Sequence, residues 1–247
     1  MAALAEQQDE LTTLLASRDD ADWKSSSRCE GWSVADVVLH LAQTNEMALA
    51  SAEGTFADAV ARMSGGSAGA ANVDEGADLM VARERWTTVD AIRHRWQRGA
   101  QQLVDALQAC DPHAQVQWVA GTLSARTLAT TWLAETWIHT GDVAHAFTMD
   151  LEPTDRLWHI ARLAWRTVPY AFARAGRDLS GPVSFDLTGP GGGAWTYGLD
   201  DNPTTTISGD AHELCLVAAR RRDPRDTALR GEGPDAESVL ELVRTYA

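Results

Sequence analysis

The sequence predicts an α+β fold that is predominantly α, with a helical bundle over residues 1–178 and a small α+β domain over residues 179–247. Three observations predict it. Apolar residues recur at helical period from Ala2 to about Ala175. The texture changes at Gly181-Pro182, after which Val183–Thr188 alternates apolar and polar residues and Thr204–Ile207 is β-branched. A chain of 247 residues buries a core without disulfide or metal staples, and 45% hydrophobic with 23% charged residues is ordinary for a globular protein.

The elements follow in order. Leu4, Leu11, Leu14 and Leu15 mark a first helix that ends before Asp19-Asp20. Trp23 to Trp32, with three serines, Cys29 and Gly31, is irregular. A second helix starts at Ser33, an N-cap residue, with Asp36 completing a capping box built on a shorter acid than usual. Its apolar face is Val34, Val37, Val38, Leu41 and Ala42, and His40 sits beside that face. Residues 64–72 are Gly, Ala and Ser apart from the final Asn72; they predict a mobile loop, either a lid or a surface insertion. A third helix spans Thr88 to Ala109 with Ile92, Trp96, Leu103 and Leu107 inward, and Asp111-Pro112 ends it. A fourth covers Ser124 to Phe147. A fifth covers Thr154 to Arg174, where Pro169 is expected to kink or shorten it. In the second domain, Gly189 to Gly193 turns Val183–Thr188 back into a partner at Ala194–Leu199, and Thr204–Ile207 is a third strand. Asp210 caps a helix reaching Arg221, and a last helix runs from Asp235 to Tyr246.

The charge of -14 argues against nucleic acid, whose phosphates need a basic surface, and against anionic membranes. Cys29, Cys110 and Cys215 are odd in number and far apart, with no C-x-x-C, which predicts a reducing, cytoplasmic setting. Met1 to Leu15 lacks the basic and apolar regions of a signal peptide, and no apolar run approaches the length of a membrane span. A small-molecule partner and a monomeric or homodimeric state are the expectation.

The chemistry begins at Glu135 and His139. Four residues apart on one helix, their Cβ atoms lie about 5–6 Å apart, so a carboxylate and an imidazole can share a cation, or simply form a helix ion pair. Asp142, on the same face, can accept a hydrogen bond from His139 and orient it. His40 reads alone as a core histidine. Facing the fourth helix, it would complete a His-Glu-His set with an open position, as catalytic zinc sites require. Nickel, iron or manganese suit the same donors. No H-E-x-x-H, paired Glu-x-x-His, G-x-S-x-G or P-loop pattern is present. Cys215 reads as core, and Cys29 as exposed with only Arg28 as a basic neighbour. Trp132 and Trp137, among ten tryptophans, either wall the site or pack the bundle. Arg220, Arg221 and Arg222 end a helix, where cations are stabilising in themselves; the sharper reading has one of them bind a substrate carboxylate.

These residues carry a resemblance. Cys29-Glu-Gly31-Trp32-Ser33-Val-x-Asp36-Val-Val-x-His40-Leu41-Ala42, Glu135-x-Trp137-x-His139-x-x-Asp142-Val-Ala and, more loosely, Gly209-Asp210-Ala-x-Glu213-Leu214-Cys-Leu216-Val217-x-x-x-Arg221 resemble the mycothiol-dependent maleylpyruvate isomerase family, within the DinB-like metal-binding superfamily. The resemblance implies a DinB-like four-helix bundle, a single divalent ion held by His40, Glu135 and His139, and an arginine important for activity among Arg220, Arg221 and Arg222. It implies mycothiol as co-substrate, attacking an electrophilic small molecule in S-transfer or cis-trans isomerisation. A thiol-independent metal enzyme of the same scaffold (isomerase, cyclase or hydrolase) and a non-catalytic binding protein are the competing expectations.

Overall fold

The computed structural model describes residues 1–64, 72–119, 121–199 and 202–245. From Met1 to Leu151 the chain forms one unit, and from Glu152 to Ala247 a second. The first contains helices α1 (Ala2–Leu15), α2 (Asp20–Trp23), α3 (Val34–Ala52), α4 (Phe56–Ser64), α5 (Val73–Glu84), α6 (Val89–Ala109) and α7 (Ala125–Ala146). Strands β1 (Gln115–Trp118) and β2 (Gly121–Ser124) pair antiparallel just before α7.

The bundle is α1, α3, α6 and α7, and α3 packs against both α6 and α7. That placement follows from composition: α3 is apolar on more than one side, so Val34, Val37, Val38, Leu39, Leu41 and Ala42 are all fully buried. The inward residues expected on α1 and α6 are buried as well, Leu11 and Leu103 completely. Helix starts obey local chemistry. Ser33 and Asp36 form the reciprocal capping box on α3, Thr88 caps α6, and Ser124 caps α7 through the Thr127 amide. The stretch 64–72, read as a loop or lid, lies from residue 65 to 71 outside the described residues. Ser64 closes α4, and the Asn72 side chain caps α5 at the Glu75 amide.

The second unit contains α8 (Leu157–Arg174), β3 (Val183–Thr188), β4 (Ala194–Tyr197), β5 (Thr205–Asp210), α9 (Ala211–Ala218), β6 (Arg230–Glu232) and α10 (Ala236–Leu242). Its sheet has the order β4-β3-β5-β6, with β3 and β5 parallel and both edge pairs antiparallel. The turn between β3 and β4 requires glycine: a Cβ on Gly189 would lie 2.4 Å from the Trp195 indole.

The domain boundary expected at 178 therefore falls earlier, at Leu151. Helix α8 belongs to the second unit because Ile160, Ala161, Ala164, Val168 and Phe172 are buried where it packs on α9, α10 and the sheet. The Trp165 indole donates to the Val183 carbonyl at 2.8 Å, and the Tyr197 hydroxyl to the Trp158 carbonyl at 2.9 Å. Pro169 lies inside α8, which continues to Arg174 and is not shortened there. Helix α9 ends at Ala218, before the expected Arg221. Among the described residues, no helix is long and apolar enough to cross a membrane.

Candidate metal centre

Helix α3 carries His40 and α7 carries Glu135, His139 and Asp142, so the packing of these two helices decides the chemistry. It brings together residues 95 apart in sequence. His40 Nε2 lies 3.0 Å from Glu135 Oε1, and His139 Nε2 lies 3.4 Å from the same oxygen. The two rings meet edge to face with centroids 5.0 Å apart. One donor atom from each of His40, Glu135 and His139 lies within 4.8 Å of the others, a spacing that a single small ion can span.

The surroundings fix which atoms point inward. Asp142, fully buried, accepts from His139 Nδ1 at 3.0 Å, which leaves Nε2 facing Glu135. His40 turns Nε2 to the carboxylate, while its buried Nδ1 has no hydrogen-bond partner among the described residues. Trp32 covers the His40 ring at 5.1 Å, and its indole nitrogen donates to Asp78 Oδ1 on α5 at 2.7 Å. Asp36, besides capping α3, accepts from Arg85 Nε at 2.9 Å. Trp132, by contrast, packs in the bundle: it donates to Asn45 Oδ1 at 2.7 Å and stacks edge-on against Trp118.

The electrostatics follow from this wiring. Burial pushes the Glu135 carboxyl upward, but hydrogen bonds from His139 and His40 outweigh it and hold the group well below the carboxylate range. Burial lowers His40 below its ordinary value despite the bond to Glu135. Burial alone would lower His139 as well; bonds to Asp142, Cys29 and Glu135 raise it well above that value. The donor set, two imidazoles and one carboxylate, fits a divalent metal with three protein ligands.

One neighbour of the site has no role assigned by the sequence. Cys29 is half-buried rather than exposed, and its thiol donates to Asp142 Oδ2 at 3.2 Å while lying 3.9 Å from His139 Nδ1. The signal for it was position: Cys29 opens the segment that leads into the His40 helix. His145 is exposed, and Cys215 is buried in the second unit, where burial raises its thiol pKa far above the usual range.

Arg220, Arg221 and Arg222 follow α9 in the second unit. Arg220 adopts a left-handed backbone conformation (φ 59°), and its guanidinium donates to the Glu241 carbonyl at 2.8 Å. Arg221 Nη1 donates to the Ala219 carbonyl at 3.1 Å, and Arg222 pairs with Glu213 at 3.4 Å.

Comparison with known proteins agrees with this architecture. Two proteins of Mycobacterium tuberculosis, MT0041 and Rv0036c, are each 29% identical over 252 aligned residues that span 100% of this chain and 95% of theirs. The fold is similar to the crystal structure of the mycothiol-dependent maleylpyruvate isomerase, with a TM-score of 0.61 at 18% identity over 94% of this chain and 93% of that one. A histidine-to-alanine mutant of that enzyme matches with a TM-score of 0.60. Residues 4–144 match the family model of the mycothiol maleylpyruvate isomerase N-terminal domain, and the chain belongs to that family.

Proposed function

We propose that this protein is a divalent-metal-dependent enzyme that activates a low-molecular-weight thiol, mycothiol, for attack on an electrophilic small molecule, as an S-transferase or as a cis-trans isomerase of the maleylpyruvate isomerase type. One observation carries the proposal: two imidazole Nε2 atoms from different helices converge on one carboxylate oxygen, at 3.0 and 3.4 Å. Family membership and a fold shared with an enzyme described as mycothiol-dependent support it.

In this reading His40, Glu135 and His139 hold the ion, and zinc suits the donor set. A bound zinc ion supplies Lewis acidity, which lets a thiol give up its proton at neutral pH. Asp142 keeps the proton on His139 Nδ1, so the Nε2 lone pair is the one presented. Glu135 would supply the one anionic ligand, and Asp142 places a second negative charge beside it through His139. Trp32 packs against the His40 ring. The thiolate sulfur adds to one alkene carbon, and the electron pair moves toward the adjacent carbonyl. The new single bond turns, and the thiolate leaves as the pair returns to form the trans alkene. In transfer, the carbanion takes a proton instead and the thioether is the product. One of Arg220, Arg221 and Arg222 binds the substrate carboxylate through two parallel hydrogen bonds. The three free cysteines suit a reducing cytoplasm.

The test is metal content and turnover of maleylpyruvate with mycothiol, for the wild type and His40→Ala. The wild type is expected to hold about one ion per chain, and His40→Ala to lose ion and turnover together. Full turnover by protein stripped of metal overturns the proposal. Turnover that needs the metal but not mycothiol replaces it with the thiol-independent scaffold enzyme.

A further inference from the structure

Asp142 is a fully buried carboxylate, and such a group is stable only when its oxygens are paired. Its Oδ2 takes two donors from different parts of the chain: His139 Nδ1 at 3.0 Å from its own helix and the Cys29 thiol at 3.2 Å from the loop before α3. The loop cannot drift. The Arg28 amide donates to the Asp142 backbone carbonyl at 3.3 Å, and Ser27 bonds the Trp32 carbonyl through both its amide and its hydroxyl. Ser27 Oγ also accepts from the Cys29 amide at 3.1 Å. The turn closes through the Trp32 amide on the Cys29 carbonyl, with Gly31 at φ 76°, a backbone state that side chains with a Cβ disfavour.

We infer that Cys29 is a positioning residue of the metal centre: its thiol holds the Asp142 carboxylate in the orientation that aims His139 at the shared ion position. Cys29 touches no reacting atom. It acts through Asp142, and Asp142 acts through the imidazole. Without the thiol, Oδ2 has one side-chain donor fewer, the carboxylate gains rotational freedom about χ2, and the His139 ring inherits it. A hydroxyl at position 29 restores a donor on a shorter arm; a methyl group does not. The inference rests on His40, Glu135 and His139 binding an ion, as proposed above.

The experiment measures zinc affinity by competition with a chromophoric chelator for full-length wild type, Cys29→Ala and Cys29→Ser, together with the thermal midpoint of each in ion-free form. Loss of partners outside the ligand set weakens metal binding by about 10- to 100-fold, and a thiol is a weak donor, so Cys29→Ala is expected near a roughly tenfold loss. Cys29→Ser is expected within about threefold of wild type on the same scale. The two variants are expected to share ion-free midpoints, which separates orientation from general packing. Equal affinity of Cys29→Ala and wild type overturns the inference, as does a serine variant no better than alanine. Wild type that binds no zinc overturns the proposed function and this inference with it. If neither variant folds, methyl methanethiosulfonate on folded Cys110→Ser protein decides. The Cys29 sulfur displaces methanesulfinate to form a methyl disulfide, while Cys215 is buried. Weaker zinc binding that returns on reduction supports the inference, and unchanged binding overturns it.

Discussion

At the scale of single residues, the site is a charge ladder in which one carboxylate oxygen serves two imidazoles of opposite tendency. His40 is driven toward neutrality by burial, and His139 toward the imidazolium by Asp142 and Glu135 on its two nitrogens. The consequence for ion-free protein has a definite sign. His139 has a folded pKa above its ordinary 6.5, so its stabilisation is complete below about pH 6.5 and is lost as pH rises through the folded value. Glu135 is depressed from 4.5, so its share is present above that pH and lost in acid; it is the same interaction seen from the other partner. His40 opposes both, because protonating a buried imidazole below 6.5 costs stability. Chelated protein should therefore lose thermal stability as pH rises above 6.5, and His139→Gln should flatten that slope. An unchanged slope in the variant would remove His139 as its source. Zinc affinity should move the opposite way and tighten with pH, because protons leave the nitrogens as the ion binds.

At the scale of elements, α3 shows what is legible locally. Its start is written in Ser33 and Asp36, its core face in the apolar spacing, and both are found in the fold. Removing the cap with Ser33→Ala should cost about 1 kcal/mol and lower the melting temperature by roughly 2–4 °C. Helix α5 shows the opposite. Among its described residues Val81 alone is fully buried, so it has no apolar stripe to read; it is held by polar contacts such as Trp32 to Asp78. The strands β1 and β2 are four residues each, too short for alternation to stand out. The end of α9 carries a constraint the sequence hides. The Arg220 amide bonds the Val217 carbonyl at 3.0 Å and the Arg221 amide the Leu216 carbonyl at 2.8 Å, a Schellman closure with arginine where glycine is usual. Arg220→Gly relieves roughly 1–2 kcal/mol of left-handed strain and gives up an exposed hydrogen bond of about 1 kcal/mol. Its melting temperature should stay within roughly 4 °C of wild type. A larger fall would make the guanidinium a structural tie; an unchanged midpoint with lost turnover would place it in substrate binding.

At the scale of the whole molecule, periodicity tells a helix which face to bury but not which neighbour to bury it against. That is why His40 and Glu135 could be named as donors from sequence, while their meeting across 95 residues became visible only in the folded bundle. It is also why the sequence groups the fifth helix with the bundle: α8 has an apolar stripe like the others, and only its packing on the sheet assigns it to the second unit. By the same logic, an ion held by His40, Glu135 and His139, as proposed, would act as a tertiary bond. A ligand that binds the folded chain alone stabilises it by RT ln(1 + [L]/Kd), about 2.7 kcal/mol at a roughly hundredfold excess over Kd. For a chain of this size that corresponds to a rise of roughly 5–10 °C in melting temperature. Because the donors sit on α3 and α7, hydrogen exchange of the full chain should slow in Val34–Ala52 and Ala125–Ala146 when zinc is added. His40→Ala and His139→Gln should show neither the thermal shift nor the added protection. A shift that survives in both variants would place the stabilising ion elsewhere on the protein.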